Sequence, residues 1–134
     1  MARRLIVDTN VLVASERDVS ALSDAIDADD DIAVAAITVA ELRTGVELAD
    51  GSHRQGRSAF LQHILQILPV EPYVLETAEA HGRLLAHVHR TGTQRGAHDL
   101  IIAATAAATG RIVLTGDRST RFGDLPGVEC IILG

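Results

Sequence analysis

A chain of 134 residues has the size of one domain, and with 47 % apolar, 22 % charged and only 2 % aromatic residues its core must be aliphatic. The net charge of −6 excludes adhesion to nucleic acid or anionic membrane through bulk charge, and the absence of lysine, all 12 basic residues being arginine, excludes Schiff-base and P-loop-lysine chemistry. One cysteine, Cys130, excludes an internal disulfide, and with no signal-peptide pattern and no long uncharged apolar run the expected setting is the reducing cytoplasm.

The first expected element is a short buried strand at 5–7, which ends on Asp8, Thr9 and Asn10. A second strand is expected at 32–35. Val39, Leu42, Val46 and Ala49 then keep 3-4-3 spacing, the stripe of an amphipathic helix. Residues 40–68 read as two helices around the polar turn DGSHRQGR, with Leu61, Ile64, Leu65 and Leu68 available to a core or an interface. A weaker strand follows at 67–70. Val74, Ala78, His81, Leu85 and Val88 form a second helical stripe, with His81 as a satisfied core histidine. Residues 97–109 are apolar nearly all round and stop at Gly110, a residue suited to a left-handed helix end, so this helix should be central. Strands at 112–115 and 129–133 complete the set. Strands separated by helices imply parallel pairing through right-handed crossovers: an α/β fold, a three-layer α/β/α sandwich on a mainly parallel, roughly five-stranded sheet, with residues 1–134 as one domain.

In such sheets ligands gather beyond the carboxyl ends of the strands, where Asp8 and Asp117, in IVLTGD, are both expected. Glu41 in AITVAELRTG and Asp99 in AHDLIIAATA open helices that face the same rim. Each has a structural reading. Asp8 and Asp117 suit turns, Thr38 and Glu41 match a T-x-x-E capping box, and Asp99 suits a helix N-terminus. Together, however, converging carboxylates repel by roughly 4 kcal/mol for a pair ~4 Å apart at an effective dielectric near 20, more than capping returns. A divalent cation removes that cost. Oxygen-only donors favour Mg²⁺ or Mn²⁺ over zinc, and the chemistry such a site serves is phosphoryl transfer.

The set LIVDTNVLVA, ITVAELRTG, HDLIIAATA and IVLTGDRSTRF, in that order, resembles a PIN domain of the VapC toxin type over essentially the whole chain. The resemblance implies a PIN-like fold and a Mg²⁺-dependent endoribonuclease, the toxin of a type II toxin–antitoxin pair, with RNA as substrate, a cognate antitoxin as partner, and a homodimer. It implies catalytic and metal-binding carboxylates at Asp8, Glu41, Asp99 and Asp117. Asp8 and Asp99 would be the firmest ligands; Glu41 and Asp117 would bind through water. Thr115 matches a hydroxyl position beside the site, and Asn10 is expected to orient Asp8. An antitoxin arm would enter a groove beside the active site, where an arginine would compete with the metal.

The stretch 80–98 contains no acid while Arg83, His87, His89, Arg90, Arg95 and His98 accumulate there, a surface expected to face RNA, with Arg95 and His98 nearest the site. The alternative is a solvated helix face. Two other functions compete: an inactive PIN-like binding module, and a phosphoaspartate receiver or phosphatase using Asp8. The last lacks its lysine, and where the phosphatases carry a second aspartate this chain has Asn10.

Overall fold

A computed structural model describes residues 2–133. Five strands, β1 (Arg4–Val7), β2 (Asp31–Ala35), β3 (Val70–Glu71), β4 (Ile112–Thr115) and β5 (Cys130–Ile132), pair in the order β3-β2-β1-β4-β5, all parallel. Between them run α1 (Thr9–Arg17), α2 (Val19–Ala25), α3 (Ala36–Leu48), α4 (Gly51–Ile67), α5 (Leu75–Thr91) and α6 (Ala97–Thr109), and two 3₁₀ turns lie at Arg118–Thr120 and Phe122–Asp124. The expected fold class is thus observed, with a sheet that is wholly parallel.

Alternation along the strands builds the three layers. Ile6 and Val113 point into one core with Leu84, Leu100 and Ile102 of α5 and α6, whereas Leu5, Val7 and Leu114 point into another with Leu12 of α1 and Ile64 of α4. The chain steps outward from β1 through β2 to β3, then returns to the other side of β1 for β4 and β5. The reversal leaves a crevice between the carboxyl ends of β1 and β4. Arg111, 7 % exposed, ties the strands together, donating to the carbonyls of Leu5 and Asp31 and to the carboxylates of Asp31 and Glu71.

Several expectations change. DGSHRQGR is not a turn: Asp50 Oδ1 accepts from the amides of Ser52 and His53, both at 3.1 Å, and starts α4 at Gly51. Ile67 stays helical, so the third strand is two residues long and begins at Val70. Leu61 and Ile64 are core residues, but Leu65 is exposed. On α5 the buried face is Thr77, Ala80 and Leu84, while Val74 and Leu85 are 46 % and 48 % exposed. The buried face is the expected stripe moved by one position, 77, 80 and 84 in place of 78, 81 and 85, and it packs in one core with Ala103, Ala104 and Ala106 of α6, which Val88 also borders. His81 is half-buried, its Nδ1 2.8 Å from the Tyr73 hydroxyl. No helix among the described residues is long and apolar enough to cross a membrane.

Candidate metal centre

Asp8 leaves β1 with extended backbone, caps α1, and is 3 % exposed. Its amide donates to Leu114 of β4 at 2.9 Å. Its Oδ1 accepts the Thr9 amide and its Oδ2 the Thr115 hydroxyl, both at 2.8 Å. The Thr115 oxygen in turn accepts the Asp117 amide at 3.1 Å, so one hydroxyl at the end of β4 holds Asp8 and the segment that presents Asp117. Asp117 behaves as a turn aspartate as well: its Oδ1 accepts the Ser119 amide at 2.8 Å and hydroxyl at 2.6 Å, which holds its pKa below the ordinary carboxylate value.

Glu41 is not a capping residue. α3 begins at Ala36, which puts Thr38 inside the helix, and the Thr9 hydroxyl donates to Glu41 Oε1 at 2.7 Å while lying 3.0 Å from the buried Thr38 hydroxyl. Glu41 Oε2 faces His98 Nδ1 at 3.4 Å. Asp99 stands in the first turn of α6 behind Gly96, where a Cβ would come within 2.9 Å of Asp99 Oδ2. Only a glycine leaves that carboxylate its position.

The acids act on one another through their charges across the rim. Burial raises the Asp8 pKa, and the charges of Asp99 and Glu41 add to it against the lowering hydrogen bonds from Thr115 and Thr9. Burial likewise raises that of Asp99, assisted by Glu41 and Asp117 and opposed by His98 and Arg95. The acids are not clenched: among the described residues, three carboxylates bring oxygens within 4.8 Å of one another only at Asp27, Asp29 and Asp30. That turn is an ion-paired one, with Asp30 bound by Arg3 at 2.6 Å and its pKa held far below normal. At the rim, oxygen donors, no thiolate, and a spacing wider than direct chelation by all four fit a hard, hydrated dication.

Asn10 shows no hydrogen bond to Asp8 among the described residues; its Oδ1 accepts from the Gly116 amide at 3.4 Å, while the Thr9 amide and the Thr115 hydroxyl hold the Asp8 carboxylate. Arg95 is turned inward, its Nη1 donating to the carbonyls of Thr120 at 2.5 Å and Arg121 at 2.7 Å. It ties the connection leading to Asp99 to the turn following Asp117. His98 is exposed at the pocket edge. Beside the pocket a groove of about 530 Å³ runs from Thr9 and Glu41 past Val13, Arg17, Leu42 and Phe60. Thr9, Gly96 and Ser119 are the supporting residues that sequence reading left without a role, and of these only Thr9, inside the D-T-N run, carried a local signal; Thr38, expected as a cap, instead lies buried beside the Thr9 hydroxyl.

The PIN domain family matches residues 5–126. The chain is 35 % identical over 126 residues to the VapC ribonuclease Y4jK of Sinorhizobium fredii, covering 86 % of this chain and 88 % of that protein. The crystal structure of VapBC-5 from Mycobacterium tuberculosis contains a chain 30 % identical, with a TM-score of 0.81 over 96 % of this chain and 98 % of that one. DNA-bound VapBC from Salmonella typhimurium shares the fold with a TM-score of 0.86 over the full length of both chains at 23 % identity. The protein belongs to the PIN-domain family, in its VapC ribonuclease branch.

Proposed function

We propose that this protein is a Mg²⁺-dependent endoribonuclease and the toxin of a toxin–antitoxin pair. The observation that carries the reading is the convergence of Asp8, Glu41, Asp99 and Asp117, from four separate segments, on the carboxyl edge of the sheet, two of them with pKa values raised by burial and mutual repulsion. The relatives named as ribonucleases and the neighbours that are toxin–antitoxin complexes support it. Mg²⁺, with Mn²⁺ as substitute, would be held by Asp8 and Asp99 and through water by Glu41 and Asp117, and it supplies charge neutralisation at the phosphate and activation of the attacking water.

The chain's own residues prepare that site. Thr115 and the Thr9 amide fix both oxygens of Asp8, and the Thr9 hydroxyl fixes one of Glu41, so the carboxylates lose little freedom when a substrate arrives. Ser119 occupies one oxygen of Asp117 and leaves the other for the pocket. His98, beside Glu41, is placed to meet an incoming phosphate. The groove along α1, α3 and α4, apolar at Val13, Leu42 and Phe60, suits an antitoxin arm that ends at the acids, where an arginine would replace the metal's charge. Exposed Tyr73, Val74, Leu75 and Leu85 supply apolar surface for a second copy in a homodimer. Lone Cys130 suits a cytoplasmic setting.

Purified protein is incubated with RNA in Mg²⁺, in chelator, and in Mg²⁺ as Asp8→Asn. Cleavage is expected only in the first sample. Equal cleavage in all three would refute the metal site, and cleavage in none would leave a catalytically silent binding module.

A further inference from the structure

Building on the ribonuclease reading, we infer that the outer face of α5 is a docking track for the RNA strand as it leaves the acidic pocket, formed by Arg83, His87 and Arg90. α5 packs along α6 and joins it through the short connection 92–96, so the carboxyl end of α5 arrives at the rim where α6 begins and Asp99 stands. Spacings of four and three put the three side chains on one helix face, and seven residues at ~1.5 Å each spread them over about 10 Å. A groove of about 560 Å³ runs along that face, with Gly82 and Ala86 as small residues on the helix, Pro126 across from it, and Glu79 toward its amino end.

Of the other arginines, Arg3, Arg4, Arg43, Arg54, Arg57, Arg95 and Arg111 are held by carboxylates or carbonyls of the chain. Among the described residues Arg17, Arg118 and Arg121 are not, but they lie apart from one another or in the turn after Asp117 and form no row along a helix face. Arg83, His87 and Arg90 make no hydrogen bond or ion pair with any described residue. Unpaired guanidiniums aligned in a concave surface, on a protein of net charge −6, complement a polyanion with a charge at every nucleotide. RNA is the occupant because the track leads away from the pocket where the scissile phosphate must lie, and the acids there repel the strand's remaining phosphates. No aromatic residue lines the groove, so the contact reads backbone and not base. It sets substrate affinity, not the rate of the bond-breaking step.

The test uses the intact protein and single-stranded RNAs of ~20 and ~6 nucleotides, with cleavage kinetics in Mg²⁺ and anisotropy-measured binding in chelator at several salt concentrations. The variants are R83Q/R90Q, Gly82→Glu, which adds an acid where a side chain meets nothing within 4 Å, and R4Q/R43Q, which removes the same charge elsewhere. For R83Q/R90Q the log–log salt slope should fall by about 1.4, at ~0.7 per lost phosphate contact, with KM for the longer RNA raised roughly tenfold and kcat unchanged. Gly82→Glu should act in the same direction, whereas the short RNA and R4Q/R43Q should be little affected. Wild-type slope and KM in both track variants, with cleavage intact, would overturn the track and leave the ribonuclease reading standing. Loss of an acidic polypeptide's binding while RNA binding is unchanged would overturn it in favour of protein docking. A wild-type protein that neither binds nor cuts RNA would remove both.

Discussion

Neutralising Asp8 separates two opposed effects of the acidic pocket. In metal-free protein the ionised Asp8 is a cost, because its folded pKa lies above the unfolded value despite hydrogen bonds from Thr115 and Thr9. A raised folded pKa means that the native state holds more protons, so this group's contribution to stability falls as pH rises from about 3.9 through the folded value and stays low above it. Asp8→Asn removes that penalty at neutral pH, which amounts to about 1.4 kcal/mol for every tenfold by which folding tightens the carboxylate's hold on its proton. It keeps most of the hydrogen bonding, since Asn Oδ1 still accepts the Thr9 amide and Nδ2 can donate to Thr115. An unfolding entropy of ~2.1 cal/mol/K per residue over 134 residues makes 1 kcal/mol equal to roughly 3.5 °C in Tm. Mg²⁺ at about 100 times its Kd stabilises wild type by about 2.7 kcal/mol, near 10 °C. Melting followed by circular dichroism at pH 7.5 should therefore show Asp8→Asn melting a few degrees above wild type in chelator and well below it in saturating Mg²⁺, with the advantage in chelator gone near pH 3.5. A variant that melts below wild type without metal, yet gains as much from Mg²⁺, would refute both the charge argument and the ligand assignment.

Arg111→Met should cost about 3–5 kcal/mol in urea unfolding at constant m, because it strands the Leu5 and Asp31 carbonyls and leaves Glu71 without its partner; a loss under ~1 kcal/mol would show that the charge cluster contributes little. Gly96→Ala is compatible with the backbone at φ −62° and ψ 135° but drives a methyl against Asp99 Oδ2, so cleavage should drop roughly 10- to 100-fold with Mg²⁺ half-saturation raised and Tm nearly unchanged. Arg95→Ala should destabilise the protein by about 1–3 kcal/mol in the same urea assay, through the unpaired carbonyls of Thr120 and Arg121, while the salt slope of RNA binding stays at its wild-type value. A flattened slope would return Arg95 to the substrate surface.

The acids were legible because each breaks an apolar pattern: Asp8 and Asp117 follow strands whose limits are set by β-branched runs, and Asp99 opens a helix that is otherwise apolar. β4 and α6 have the bounds expected from sequence because both are buried, and burial writes a continuous hydrophobic signal. β3, two residues long at the sheet edge, writes none, and α4 begins in a polar stretch because a capping aspartate can start a helix without apolar periodicity. On α5, hydropathy could not choose between Leu84 and Leu85; the way the helix packs in the core with α6 chooses, and Thr77, Ala80 and Leu84 are the residues buried. The site's supporting residues were harder still, since their meaning lies in partners distant in sequence. The Thr9 hydroxyl matters because Glu41 comes to it, Gly96 because Asp99 fills the space behind it, and Arg95 because two carbonyls of the turn after Asp117 face it. An arginine four residues before a pocket carboxylate reads as a substrate contact until the fold supplies acceptors for it. Arg83 and Arg90 are the converse: the fold supplies them with no partner, and that is why the substrate-facing charge is assigned to α5 and not to the connection next to the acids.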